Sequence, residues 1–207
     1  MTSAVDRATV DPAAALTAAR AELHTGQPSL NTLAQLAQVT ETLLAQVDHL
    51  ADQLTEARTC PLTGLPTRTL WRAQAEEVAA TGPTAVIMVD LNDFKPVNDS
   101  LGHAAGDAVL AEIGSRAGTW ASGRGCAGRL GGDEFAFAVR DEPGLMRAIT
   151  ALRGRLAAPI VHDSLHLVVG ASLGAARVHG PTPQALSEAL HKADQRMYRE
   201  KGQTGRR

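Results

Sequence analysis

Hydrophobic positions change their period several times along the chain, and each change marks an element. Over residues 29–58, apolar side chains fall at Leu33, Leu36, Leu43, Val47, Leu50 and Leu54. With Thr40 filling the gap, the spacing alternates between three and four. This predicts a long helix with a heptad seam, started by Ser29 as N-cap. Such a seam suits a coiled coil or bundle between chains better than a helix lying on its own domain. A shorter helix over about 13–23 precedes it and should end at Gly26 and Pro28.

The period is lost in the turn-rich joint Cys60-Pro61-Leu62-Thr63-Gly64-Leu65-Pro66. A helix over 67–80 follows, closed by Gly82 and Pro83. Residues 85–89 are an unbroken apolar run, the mark of a buried strand, and it stops at Asp90. Further on, the pattern predicts a short helix or turn over 93–100 and a helix over 105–117. Strands over 126–130 and 134–139 come next, with Phe135, Phe137 and Val139 on one face. A helix over 145–156, one strand within 165–178 and a helix over 183–201 complete the chain. From residue 85 the order is β-α-α-β-β-α-β-α. The expected fold class is α/β (α+β): an N-terminal helical region, 1–58, that serves dimerisation, and a domain over 59–207.

Composition narrows the function. At 207 residues and 44% hydrophobic, the chain can bury a core. A net charge of −2 gives no reason to expect a nucleic-acid or membrane surface, and 3% aromatic content argues against base-stacking platforms. Cys60 and Cys126 lack metal-type spacing and suit a reducing, cytoplasmic compartment. No signal peptide is recognisable, and no apolar run approaches the ~18–20 residues of a membrane span.

The segment Arg129-Leu130-Gly131-Gly132-Asp133-Glu134-Phe135 adds chemistry. Gly-Gly between strand-like runs reads as a two-residue hairpin turn, whose primed forms need positive φ. Asp133 and Glu134 would then start a strand beside the open hairpin tip. If that hairpin pairs with the strand ending at Asp90, three carboxylates meet at one sheet edge. They would repel one another. A Mg²⁺ ion relieves the repulsion and commonly shares its shell with substrate phosphates. Solvated turn acids are the plainer alternative. Lys95 offers a point charge for phosphate, and a short turn around it offers backbone N–H groups. Asn98 and Asp107 can complement the donor pair on guanine's Watson–Crick edge, which adenine lacks. Gly102 permits a tight turn between them. His103 could reach a ligand there or serve as a capping or packing residue.

Taken in order, Asp90, Phe94-Lys95, Asn98-Asp99, Gly102-His103, Gly106-Asp107 and the Arg-x-Gly-Gly-Asp-Glu-Phe run resemble the GGDEF domain of diguanylate cyclases. Leu62-Thr63-Gly64-Leu65, Ser172-x-Gly174, Ala193-Asp194, Met197-Tyr198 and Lys201 extend the resemblance over about 60–206. It implies a mainly antiparallel sheet flanked by helices, like the polymerase palm and the class III nucleotide cyclases. It also implies condensation of two GTP into cyclic di-GMP with release of pyrophosphate. The metal would be Mg²⁺, with Mn²⁺ as the alternative, and two domains would face each other in a homodimer. By position, Asp90, the Leu91 carbonyl and Asp133 would bind metal, with Glu134 completing its environment. Asp133, Glu134 and Lys95 would carry catalysis, Lys95 against developing phosphate charge. Asn98 and Asp107 would read guanine, with His103 and Phe94 beside the substrate, and Lys201 and Arg206 at the terminal phosphates. Asp107 implies selectivity for GTP. A protein partner acting on the N-terminal helices is the expected input, unless those helices only fix dimer geometry. A catalytically silent GTP-binding module signalling through those helices, or an inert scaffold, is the alternative. The presence of Asp90, Asp133 and Glu134 favours an active enzyme.

The sequence departs from the family in several places. Ser122 and Gly125 stand where members often carry the Arg-x-x-Asp product-inhibition site, which implies no feedback by that route. Cys60 replaces a usual Asp, Thr67 a common Asn and Asn92 a frequent Asp. Residues 202–204 separate Lys201 from Gly205, one more than is usual.

Overall fold

The computed structural model describes residues 11–26 and 29–204, without the side chains of residues 12, 23, 25, 48–57, 203 and 204. The chain divides into two compact units, Met1–Thr55 and Glu56–Arg207.

The first unit is built from α1 (Pro12–Thr25) and the part of α2 (Leu30–Arg58) up to Thr55. Ser29 caps α2 as expected: its Oγ accepts from the Thr32 N–H at 3.1 Å, and its carbonyl accepts from Leu33. Glu22 accepts from the Ser29 N–H at 2.8 Å and so ties the end of α1 to the start of α2. Among the described side chains of α2, the buried ones are Thr32 and Val39, off the seam. The seam residues Leu33, Leu43 and Val47 are exposed in the single chain. Pro28 and the side chains of Leu23, Leu50 and Leu54 lie outside the described residues.

The second unit runs α3 (Arg68–Thr81), β1 (Thr84–Leu91), α4 (Phe94–Leu101), α5 (His103–Ala121), β2 (Gly125–Arg129) and β3 (Glu134–Arg140). It continues with α6 (Leu145–Leu156), β4 (Ile160–His162), β5 (Leu165–Leu167), β6 (Ala171–Val178) and α7 (Pro183–Thr204). Four strands form a sheet in the order β2-β3-β1-β6, every pair antiparallel. β1 is central and buried along its whole length, as its unbroken apolar run requires.

Alternation sorts the sheet's side chains into two cores. Ile87, Val89, Leu91, Phe135, Phe137 and Val139 pack with Val109 and Ile113 of α5 and Leu152 and Leu156 of α6. Trp120 meets Phe137 edge to face at 5.3 Å. On the other face, Val86, Met88, Ala136, Ala138 and Ala176 pack with Trp71 of α3 and Leu186, Ala193 and Met197 of α7. The sheet side chains on that second face are mostly small, so the helices come close. A Cβ on Gly174 would overlap the Ala193 carbonyl and the Met197 amide, so α7 lies directly on the β6 backbone.

One expectation is corrected. The stretch 165–178 holds two strands, β5 and β6, and β4 pairs with β5 in a separate hairpin. That hairpin turns through Asp163 and Ser164, both in the left-handed region with φ of 46° and 66°. Without a glycine at the turn, and with three residues per strand, neither the turn nor the alternation shows in the sequence. Among the described residues, no helix is long and apolar enough to cross a membrane.

Candidate active site

The sheet register sets the site. Asp90 is the direct partner of Glu134 across β1 and β3, and of Ser172 across β1 and β6. The Leu91 N–H donates to the Asp133 carbonyl at 3.2 Å. Asp90, Asp133 and Glu134 are thus brought to one end of the sheet.

The Gly-Gly turn differs from the expected form. Leu130 N–H bonds the Glu134 carbonyl at 2.9 Å, closing a three-residue loop of Gly131, Gly132 and Asp133. Neither glycine has positive φ, so the primed two-residue turn is not present; the strand starts at Glu134, as expected for the strand over 134–139. What holds the loop is Arg129. Its guanidinium donates to the Gly131 carbonyl at 3.2 Å and to the Gly132 carbonyl at 3.1 and 2.7 Å. Its remaining nitrogen donates to Cys60 Sγ at 3.2 Å, joining the loop to the turn that enters the domain. Burial alone would raise the Cys60 thiol. Hydrogen bonds from Thr63, Arg129 and the Leu62 amide outweigh that and bring it down from 9.0 to about 7.

Asp90 is buried, and a buried carboxylate needs a partner. Lys201 Nζ supplies it at 2.6 Å from Oδ1. That hydrogen bond is the main reason the Lys201 ammonium titrates above its usual range, with the charges of Asp133 and Asp93 adding to it. Glu134 faces Arg68, whose Nη2 lies 3.7 Å from Oε2 and also donates to the Leu130 carbonyl. The three carboxylates share an edge, but Asp90 pairs with Lys201 and Glu134 with Arg68. Among the described residues, no three His, Cys, Asp or Glu side chains converge as a metal-holding group. The donor types nevertheless fit a hard divalent cation. Two carboxylates and the Leu91 carbonyl are oxygen donors, and a cation, the Lys201 ammonium, already rests on Asp90.

Beyond β1 the chain turns sharply. Asn92 N–H bonds the Gly170 carbonyl at 2.8 Å, and Ser172 Oγ donates to Asn92 Oδ1 at 2.7 Å. Asp93 follows in the left-handed region at φ 54° and starts α4 without a side-chain cap. Lys95 is exposed and pairs with Asp99 at 2.9 Å. Phe94, expected beside the substrate, has its ring buried in the core, which leaves its backbone amide as the part a ligand could use. Asn98 has a made seat. A Cβ on Gly106 would overlap Asn98 Oδ1, so only glycine there lets the amide lie against α5. Gly102, at φ +84°, turns the chain and donates to the Asn98 carbonyl at 2.9 Å. His103 and Asp107 stand one turn apart on α5, both exposed, and Asp107 is next to the Asn98 seat. Arg206 lies outside the described residues.

Lys201 is placed by its neighbour. Glu200 accepts from the Leu173 N–H at 2.6 Å with one oxygen and pairs with Arg153 at 2.6 Å with the other. Arg68 and Arg153 act across distant segments, and nothing local in the sequence points to them. Arg129 stands in the motif run, but its hold on the loop depends on the form of the turn. At the Arg-x-x-Asp positions, Ser122 and Gly125 are exposed, and nearby Arg124 is engaged with Trp120, through its carbonyl at 2.8 Å and over its ring at 5.4 Å.

An antiparallel sheet covered by helices, with an acid-bearing hairpin beside the acid of its central strand, defines a nucleotide-cyclase type of domain. The chain belongs to the GGDEF family: the model for the diguanylate cyclase GGDEF domain matches residues 57–207. It is 44% identical over 158 residues to an uncharacterized 19.3 kDa protein of Streptomyces ambofaciens, covering 76% of this chain and 85% of that one. It is 36% identical over 178 residues to diguanylate cyclase DgcP of Escherichia coli, covering 75% of this chain but only 50% of that protein. Among solved structures, it is similar to the coiled coil and GGDEF domain of DgcB from Caulobacter crescentus, solved with c-di-GMP. The TM-score is 0.67 at 26% identity, over 84% of this chain and 95% of that one. Conversion of GTP to cyclic di-GMP is the family's general reaction.

Proposed function

We propose that the chain is an active diguanylate cyclase that uses Mg²⁺, works as a homodimer and lacks feedback through an Arg-x-x-Asp site. The observation that carries this reading is the register of Asp90 with Glu134, which puts the motif acids at one sheet edge with Lys201 in contact. Asp90, Asp133 and the Leu91 carbonyl would hold Mg²⁺ or Mn²⁺, with Glu134 completing the environment. When bound, the metal neutralises phosphate charge and activates the 3′-hydroxyl.

The other roles fall to side chains of this chain. Asn98, seated against Gly106, and Asp107 orient guanine and select GTP over ATP, with His103 beside them. The exposed Lys95 leaves Asp99 to meet developing charge on the α-phosphate. Lys201, with Arg206, meets the terminal phosphates. Each 3′-hydroxyl attacks the α-phosphate held by the other domain, so one domain cannot close the ring alone. The exposed Leu33, Leu43 and Val47 seam supports pairing through region 1–58, with catalysis in 59–207. The relative DgcB, whose solved piece joins a coiled coil to its GGDEF domain, supports the same reading. A protein partner acting on α1 and α2 would provide input, and the two free cysteines suit a reducing cytoplasm.

Replacing Asp133 tests this reading. Asp133→Ala should cut cyclic di-GMP formation by at least about 10²-fold with the circular dichroism unchanged. Retained turnover would remove Asp133 from the reaction. A wild-type chain that binds GTP but forms neither cyclic dinucleotide nor pyrophosphate would be the silent signalling module instead.

A further inference from the structure

We propose that Lys201 is a built-in counter-ion for Asp90 that divalent cation and nucleotide triphosphate displace together, so that the two ligands bind cooperatively. The inference rests on the reading of Asp90 as a metal ligand and concerns what occupies that ligand beforehand.

The Asp90 side chain is only 11% exposed, so leaving it charged and alone would be costly. The Lys201 ammonium, 2.6 Å away, stabilises it, while the Lys201 side chain is 44% exposed. The head group therefore approaches from the solvent side on a flexible four-carbon stem. The backbone behind it is fixed. Both Glu200 oxygens are engaged, one by the Leu173 N–H and one by Arg153, and Gly174 lets α7 rest on β6. The stem can retract without moving the helix.

A cation arriving alone at Asp90 must break this pair, and it leaves a displaced ammonium near a divalent charge. A triphosphate arriving with it gives the ammonium a new anionic partner. Each ligand thus removes a cost from the other, which is a coupling free energy between them. Arg153 and Glu200 are positioning residues in this device, because they fix the stretch of α7 that carries Lys201.

Mn²⁺, visible by electron paramagnetic resonance, is the probe for the nucleotide-free full chain. Lys201→Met should bind Mn²⁺ alone roughly tenfold more tightly than wild type. Its further gain should shrink when a GTP analogue with a methylene between the α- and β-phosphorus, which cannot turn over, is added. A folded Lys201→Met chain with unchanged or weaker Mn²⁺ affinity would overturn the proposal while leaving the cyclase reading intact. Wild-type protein gives a second readout should that variant fold poorly. Acylation of Lys201 by an amine-reactive reagent, followed by mass spectrometry, should rise with saturating Mn²⁺ alone and fall once the analogue is added. Labelling indifferent to Mn²⁺ would refute displacement. Absence of Mn²⁺ binding in both chains would overturn the ligand role of Asp90 and this proposal with it.

Discussion

Gly106 shows how one missing methyl group can serve recognition. A Cβ there would overlap Asn98 Oδ1 and lie 3.2 Å from the Phe94 ring. Gly106→Ala should push the Asn98 amide from its seat, since that flexible tip yields more easily than the buried ring. The KM for GTP should rise roughly tenfold, in line with loss of one good hydrogen bond, while the thermal midpoint changes little. An unchanged KM would remove Asn98 from guanine recognition. Cys60 gives a second residue-level prediction. Its thiol sits at about 7 in the fold against an ordinary 9.0, so folding favours the thiolate. That stabilisation is complete above about pH 9 and is lost as the pH falls through about 7. The difference in thermal midpoint between wild type and Cys60→Ser should therefore widen from pH 7 to pH 9. Iodoacetamide at neutral pH should label Cys60 before Cys126, whose burial pushes its thiol up to about 11. Asn98 and Asp107 are legible in the sequence because local spacing alone sets them on a helix–turn–helix. The Arg129 clamp is not, because it depends on a loop form that the Gly-Gly pair misrepresents.

At the scale of elements, long periodic segments are readable and short or tertiary ones are not. α7 follows from its apolar period and from Pro183 at its start, and β1 from its unbroken run. The β4–β5 hairpin carries no such signal. Nor does the link from α6 to β4. There Arg116 of α5 donates to the carbonyls of Arg155, Leu156, Ala158 and Pro159, satisfying groups a helix end leaves open. The seat of α7 on β6 is testable. Gly174→Ala would force backbone against backbone, since the obstructing atoms are the Ala193 carbonyl and the Met197 amide. It should cost about 1–3 kcal/mol by denaturant titration and weaken turnover by moving Lys201. A neutral effect on both would show that the helix can stand off from the strand.

At the scale of the whole molecule, sequence and fold agree on the class, while assembly needs a second chain. The family resemblance implies the mainly antiparallel sheet, and the pairing of β3 with β1 is what brings the acids to its edge. The proposed partner for the α2 seam would lie outside one chain's sequence and structure. Leu43 and Val47, 43% and 61% exposed, lie on the face proposed for such pairing. Leu43→Glu with Val47→Glu should lower the molar mass by light scattering and lower turnover with it. A monomeric variant with full turnover would separate the seam from catalysis. The most direct measurement of the central claim is product formation from GTP and Mg²⁺ across a range of protein concentrations, with the product identified by mass spectrometry. The expected result is cyclic di-GMP with pyrophosphate, at a rate per chain that rises with concentration and then levels as dimers saturate. The contradicting result is no cyclic dinucleotide at any protein concentration.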